Sequence, residues 1–393
     1  HLHLHLHLHL HLHLQRTARP RVSELAAISR SALKPPRRKG RRFIMSLPGQ
    51  CRAPEGGESC LLRYLVRSPN PLGDACMALP AVVALKKGRP GLHLTICCRE
   101  NLAPLWASCE EVDEVIAFPK TLRPAGVGRL IREHGPFDEG LLLPNSLRSA
   151  LELRLGGVGR LTGYARNLRS FLLHRAVKRF VPSLEKRHHL YSYLRLVEAM
   201  GIEMEPLDEL LAIPPPPTPN AGNAGSEIHL GICPGAEYGN AKRYPIERYA
   251  EAIGNLRANR PDLKIRVSIF GSPVERQIGE DLAALIAEPR VNRAGQTSIA
   301  GLMTELQSCH LVVTNDTGSM HLAAALGVPT VAIFGSTEPD LTAPIGAIHR
   351  VIRHKVDCSP CFLRDCPIDY RCMLRIEPAQ VVREMEVLLE AAK

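Results

Sequence analysis

Val312-Val313-Thr314-Asn315-Asp316-Thr317-Gly318-Ser319-Met320-His321 decides how this chain is to be read. A β-branched run ends in an Asx/Thr/Gly turn, and an alanine-rich helical pattern follows. Backbone N–H groups exposed at such a junction suit a phosphate, and Asp316 and His321 add side chains able to orient one. Thr330 to Gly335 repeats the pattern, a short apolar strand stopped by glycine. Two neighbouring strand ends with polar turns imply a ligand crevice at the carboxyl edge of a parallel sheet.

Outward from this junction the same alternation recurs. Leu61–Val66, Leu92–Cys97, Val115–Phe118 and Leu141–Leu143 read as strands, and helical spacing over Ala75–Lys87 and beyond separates them. Pro214-Pro215-Pro216-Pro217-Thr218-Pro219 can neither continue a helix nor fill a ladder, so a linker is placed at 214–226. Glu227–Cys233, Ile265–Phe270, Leu311–Thr314 and Thr330–Phe334 restart the strands, and Glu377–Ala392 reads as a terminal helix. The expected organisation is a tail at 1–60, an α/β domain at 61–213, the linker, a second α/β domain at 227–376, and a last helix at 377–393 packing back on the first domain. Two α/β halves joined by a hinge imply a cleft between them.

Charge narrows the partners. The net charge is +11, yet residues 1–60 alone hold 11 lysines and arginines against three glutamates, a net of +8. The remaining +3 argues against a nucleic-acid partner for the folded part. The tail opens with seven His-Leu dipeptides, read as low complexity, and carries a basic run at Arg37–Arg42. No run approaches the length of a membrane span, and the tail lacks the apolar core of a secretory signal.

Several residues bear chemistry, each with a plain alternative. Asp74 follows Gly73 at a strand-to-helix turn, where it either accepts a substrate proton or caps the helix. Gly73 lets a substrate approach the backbone. Lys242 follows the glycine-rich stretch Pro234-Gly235-Ala236-Glu237-Tyr238-Gly239, where an ammonium suits a diphosphate leaving group or is simply solvated. Glu275, just past Gly271-Ser272, binds sugar hydroxyls or caps the next helix. Cys358, Cys361, Cys366 and Cys372 are candidates for zinc or an iron–sulfur centre; the alternative is a packed loop of reduced thiols. Cys97-Cys98 belongs to a buried strand. Leu168–Phe180 mixes four cations with apolar residues and reads either as contact with a membrane or phosphorylated sugar, or as an amphipathic helix packed on its own domain. There is no GxxxxGK[ST] and no convincing GxGxxG, which disfavours nucleotide hydrolysis and dinucleotide redox chemistry.

Five ordered stretches then converge. They are Ser68-Pro69-Asn70-Pro71-Leu72-Gly73-Asp74, Leu143-Pro144-Asn145-Ser146, Thr162-Gly163-Tyr164, Cys233–Gly239 with Ala241-Lys242-Arg243-Tyr244-Pro245, and Thr314–His321. On these the chain resembles the ADP-heptose:lipopolysaccharide heptosyltransferases of glycosyltransferase family 9, most closely the heptosyltransferase II branch. It departs at Pro71 and Tyr244, where many relatives carry tryptophan. The resemblance implies a GT-B fold, two Rossmann-like parallel-sheet domains facing across a cleft. It implies ADP-heptose as donor in the second domain, with Gly235, Lys242, Gly271, Glu275, Asp316, Thr317, Gly318, Met320 and His321 around it. It implies a lipid A-linked inner core as acceptor in the first domain, near Asn70, Gly73, Asn145 and Ser146. Asp74 would be the base, Lys242 would steady the leaving diphosphate, and no metal cofactor is required. Inverting transfer to a core heptose is the expectation; the alternatives are heptosyltransferase I-like transfer to Kdo and a non-catalytic nucleotide-sugar-binding protein. The implied location is cytoplasmic, peripheral at the inner face of the bacterial inner membrane.

Overall fold

The computed structural model describes residues 62–178, 183, 186–211 and 227–391. The His-Leu tail, the basic run and the proline-rich linker lie outside them.

Among the described residues, twelve strands form two six-stranded parallel sheets. The first contains β1 (Leu62–Arg67), β2 (Leu92–Arg99), β3 (Glu114–Phe118), β4 (Glu139–Leu142), β5 (Arg160–Tyr164) and β6 (Arg175–Val177), in the order β3-β2-β1-β4-β5-β6. The second contains β7 (Glu227–Cys233), β8 (Lys264–Ile269), β9 (Arg290–Asn292), β10 (Leu311–Asn315), β11 (Thr330–Phe334) and β12 (His349–Arg353), in the order β12-β11-β10-β7-β8-β9. Both sheets therefore run 3-2-1-4-5-6 within their own half, the doubly wound order with its switch point between the first and fourth strands. That is the expected pair of Rossmann-like halves. The central strands are apolar because helices cover both faces: β10 and β11 are buried at every position. Cys97 and Cys98 are buried in β2, as expected.

At each switch point a helix follows the first or fourth strand. Leu72–Lys87 follows β1, and Gly318–Ala325 follows β10. Both carry apolar residues on nearly every side, because each is enclosed between its own sheet and the opposite half. One apolar cluster runs through both halves, with Ala78, Leu79 and Val82 joined to Leu322, Ala323 and Leu326. A strap from the first half closes the seam. The His189 N–H donates to the Leu341 carbonyl at 2.9 Å, the His188 ring meets the Ala343 carbonyl at 3.0 Å, and Arg187 pairs with Asp340 at 3.2 Å. Leu190 N–H donates to His188 Nδ1, so Nε2 carries the proton given to Ala343. Burial holds that imidazole neutral, its pKa pushed down to about 4.

Two expectations are corrected. The terminal helix, Pro378–Ala391, buries Val381, Val382, Met385, Leu388 and Leu389 in the second half's own core, not against the first half. It lies on helix Ile246–Asn259, whose apolar face leaves room for one more amphipathic partner. Within the stretch Leu168–Phe180, the described residues 168–178 are not an amphipathic helix: a single 3₁₀ turn at Ser170–Leu172 leads into β6, and 179–180 lie outside the described residues.

Behind the first sheet's carboxyl edge, Arg67 donates through Nε to Glu152 at 2.8 Å, with both side chains almost fully buried. Arg148 reaches the other oxygen of Glu152 at 3.0 Å. Removing the one carboxylate leaves a buried guanidinium without a counter-charge. Glu152→Gln is expected to cost about 3–5 kcal/mol in denaturant-induced unfolding, and Glu152→Leu combined with Arg67→Met to recover much of it.

Candidate active site

The carboxyl edges of β1 and β10 supply the two central loops. After β1, Ser68–Pro71 turns the chain into helix Leu72–Lys87. Pro71 occupies the N-cap position and Asp74 lies in the first helical turn, so Asp74 is not the cap. No hydrogen bond to its carboxylate is present among the described residues. Burial raises the Asp74 pKa above the ordinary carboxylate range, and the nearby positive potential of His189 opposes the shift. A half-buried carboxylate without a partner, held on a rigid helix, has the makings of a general base.

Gly73 sits where the halves meet. A Cβ there would lie 2.8 Å from His321 Cδ2 and 3.6 Å from Gly318 Cα. Conversely, a Cβ on Gly318 would touch Leu72 and the Gly73 nitrogen. The first turns of two helices, one from each half, are thus in van der Waals contact, which puts Asp74 next to the second half's helix N-terminus. Thr317 is the N-cap of Gly318–Ala325 and its hydroxyl makes no capping bond. This helix start keeps the partial positive charge that suits a phosphate.

Around that helix start the second half is knitted together by Asn315 and Asp316. Asn315 is fully buried. Its Oδ1 accepts from Tyr244 N–H at 3.1 Å and from the Tyr249 hydroxyl at 3.0 Å, and its Nδ2 donates to the Pro234 and Gly235 carbonyls at 2.7 and 3.1 Å. It staples the glycine-rich loop after β7 to the end of β10. Asp316 Oδ2 accepts from Lys242 Nζ at 2.6 Å and from Thr337 Oγ1 at 2.7 Å. Lys242 lies in the 3₁₀ turn Asn240–Lys242 and rests 4.8 Å over the Tyr238 ring. It is an anchored cation, not a solvated one. His321, 8% exposed, has its pKa pushed down to about 4, mainly by burial and against the pull of Asp316, so it is neutral at pH 7.

Glu275 satisfies both sequence readings at once. Oε2 accepts from the Ser272 N–H and hydroxyl, each at 2.8 Å, in a capping box. Oε1 is buried with no partner, and a Cβ on Gly235 would overlap it. That bare acceptor beside the glycine-rich loop suits a ligand hydroxyl. Gly271 allows the turn, since a Cβ there would press on Glu275 at 3.1 Å.

In the first half, Asn145 and Ser146 follow β4, the neighbour of β1. Asn145 Oδ1 accepts from buried Arg169. Ser146 is the N-cap of Leu147–Leu155, its Oγ accepting from Ser149 N–H at 3.2 Å, so a structural duty competes with any acceptor contact. Asn70 accepts from Arg67 and keeps an exposed position at the cleft edge.

One expectation fails here. Met320 is fully buried against Ala332 and Phe334, and its N–H is used by the Thr317 carbonyl. It lies on the sheet-facing side of its helix and presents nothing to a ligand. Three residues were missed: Asn315, which sits within the opening motif; Thr337, two residues past the Gly335 stop; and His189, which no local pattern marks. Among the described residues, no three or more histidine, cysteine or acidic side chains are grouped to hold a metal. Cys366 instead accepts from Tyr370 N–H.

The model of glycosyltransferase family 9 (heptosyltransferase) matches residues 127–370. Lipopolysaccharide heptosyltransferase 2 of Escherichia coli K12 is 30% identical over 353 residues, 84% of this chain and 99% of that protein. Lipopolysaccharide heptosyltransferase 1 of Pseudomonas aeruginosa PAO1 is 26% identical over 84% of this chain and 99% of its own length. The solved structure of Escherichia coli ADP-heptose lps heptosyltransferase II superposes with a TM-score of 0.68 at 28% identity, covering 84% and 99% of the two chains.

The raised Asp74 pKa carries a stability consequence with a definite sign. A folded-state carboxyl pKa above the unfolded value means that the native protein prefers the protonated form. Native stability is therefore lowered at pH values above the raised pKa, and the penalty disappears once pH falls below the ordinary carboxylate range. Asp74→Asn should accordingly be more stable than the native protein at pH 7, with the gap closing toward pH 3, in thermal or urea unfolding followed across pH.

Proposed function

The chain belongs to glycosyltransferase family 9, and on that premise we propose that it transfers L-glycero-D-manno-heptose from ADP-heptose to a heptose hydroxyl of the lipopolysaccharide inner core on lipid A. The observation that carries the reading is the juxtaposition of Asp74, a carboxylate without a hydrogen-bond partner among the described residues, with the start of the opposite half's helix Gly318–Ala325, which directly follows the Asp316 that holds Lys242. Base and leaving-group site belong to different halves and meet only at the seam.

In the proposed reaction the donor diphosphate lies at the start of Gly318–Ala325. The amides there and Lys242 receive its charge. Lys242 would turn from Asp316 toward the phosphate, while Thr337 keeps its bond to Asp316. The free oxygen of Glu275 would accept from a donor hydroxyl. Asp74 takes the proton of the acceptor hydroxyl as its oxygen attacks the anomeric carbon. The bond from that carbon to the diphosphate oxygen breaks, its electron pair leaves with ADP, and configuration inverts from β to α. The reaction requires no metal, because the leaving charge meets an ammonium and helix amides.

Neutral His321 touches the backbone beside Asp74, so it orients without adding charge. The acceptor is lipid-linked, which is the support for a cytoplasmic enzyme working peripherally at the inner face of the bacterial inner membrane. No helix among the described residues is long and apolar enough to cross a membrane.

The test is transfer of labelled heptose from ADP-heptose to defined truncated cores. A core ending in heptose should be glycosylated and one ending in Kdo should not. Asp74→Asn should lower kcat by roughly 10²–10⁴ with native-like folding, and Lys242→Met by roughly 10²–10³. Tight donor binding without turnover would convict the chain of being only a binding protein.

A further inference from the structure

The loop joining β5 to β6 is built in a way that its own half does not need. Leu168 is 89% exposed and Phe171 78% exposed, three positions apart on the tip. Asn167 and Leu168 both adopt left-handed backbone, at φ 53° and 54°. Asparagine tolerates that region; a leucine there is strained and requires surroundings that enforce it. The enforcing group is Arg169, a fully buried residue with no carboxylate partner among the described residues. It donates to the carbonyls of Tyr164, Pro144 and Ser146 and to Asn145 Oδ1. Burial without a counter-ion pushes its pKa down to about 10. A strained leucine and a desolvated cation thus cooperate to hold two large apolar side chains out in water.

The surroundings of the tip say what would cover it. Residues 165–178 contain no aspartate or glutamate, and Arg166 and Lys178 are exposed where the loop leaves β5 and β6 ends, the Ala165 N–H donating to the Val177 carbonyl between them; Arg175 is committed to the Ala199 carbonyl. A protein partner of mixed charge would not require a purely cationic rim; an anionic lipid surface matches it. The loop also occupies the carboxyl edge of the first sheet, and Asn167 donates to the Asn145 carbonyl beside the β1 loop that leads to Asp74. Contact at this tip would turn the acceptor side of the cleft toward the membrane.

We infer that Leu168 and Phe171, flanked by Arg166 and Lys178, form a wedge that seats the protein on anionic lipid. The inference rests on the lipid-linked acceptor proposed above and names the surface that meets the bilayer.

The full chain is tested by sedimentation with phosphatidylglycerol vesicles against phosphatidylcholine vesicles. Native protein should bind the anionic vesicles, and Leu168→Ser with Phe171→Ser should weaken binding at least roughly tenfold. Both proteins share the basic tail, so the comparison isolates the loop. Transfer to a water-soluble, lipid-free core should be equal in the two. In Phe171→Trp, anionic vesicles should shift the emission to the blue over the constant background of Trp106, which is buried. Equal vesicle binding by native and doubly substituted protein overturns the wedge, as does an unshifted emission from the Phe171→Trp protein. Conversion of a dimer to a monomer by the double substitution also overturns it, assigning the tip to a second copy. If native protein fails to transfer to the lipid-free core while the vesicle results hold, the enzymatic reading falls and the lipid wedge stands.

Discussion

Two helices meet first turn to first turn because position 73 carries no side chain. The sheets in the two halves share one topology, and each fold by itself specifies only where its own switch point lies. What aligns the switch points is the contact of Gly73 with His321 and of Gly318 with Leu72, backed by the apolar seam of Ala78, Leu79, Val82, Leu322 and Ala323. A methyl at position 73 would have to displace a buried imidazole. Small residues therefore do here what a large side chain could not. They let a carboxylate on one helix approach the positive end of another without a bond between them.

The halves divide the labour unevenly. The second is preorganised by polar groups whose partners are already chosen: Asn315 uses both ends of its amide, and Asp316 holds Thr337 and Lys242 together. Such a network costs little to reorganise, because Lys242 can exchange one anionic oxygen for another. The first half keeps its key group unsatisfied. Asp74 is raised by burial and has no donor among the described residues, so its proton affinity stays available for a substrate. A hydrogen-bonded Asp74 would be a better cap and a worse base.

How far the chain could be read in advance follows from this division. The buried central strands were legible because a strand covered on both faces is a plain apolar run; β7 and β11 were read with their observed limits. β5, β6, β9 and β12 were not: β6 and β9 are three residues long, and β5 and β12, away from the centre of their sheets, carry arginines or a glycine that break the run. Asp74, Lys242 and Asp316 were found because turn chemistry marks them. Met320 was misplaced because neighbours in a motif occupy opposite faces of a helix, and only the helix's seat on β11 says which face is inside. Glu275 looked like a choice between capping and binding because sequence does not reveal that a carboxylate has two oxygens with separate fates. His189 acts on a residue far away in sequence, and Thr337 on a neighbouring strand end; no spacing encodes either contact.

The same reasoning separates two unpaired groups of the first half. Arg169 and Asp74 each lack an opposite charge among the described residues, yet their settings differ. Arg169 is enclosed by carbonyl oxygens that satisfy its N–H groups one by one, so its charge is spent inside the loop and no ligand reaches it. Asp74 is half-buried with no donor among the described residues, and it lies at the seam. An unpaired charge is thus not a mark of function in itself. It becomes one when the group's remaining hydrogen-bonding capacity points at a space that a ligand can occupy, and of these two only Asp74 meets that condition.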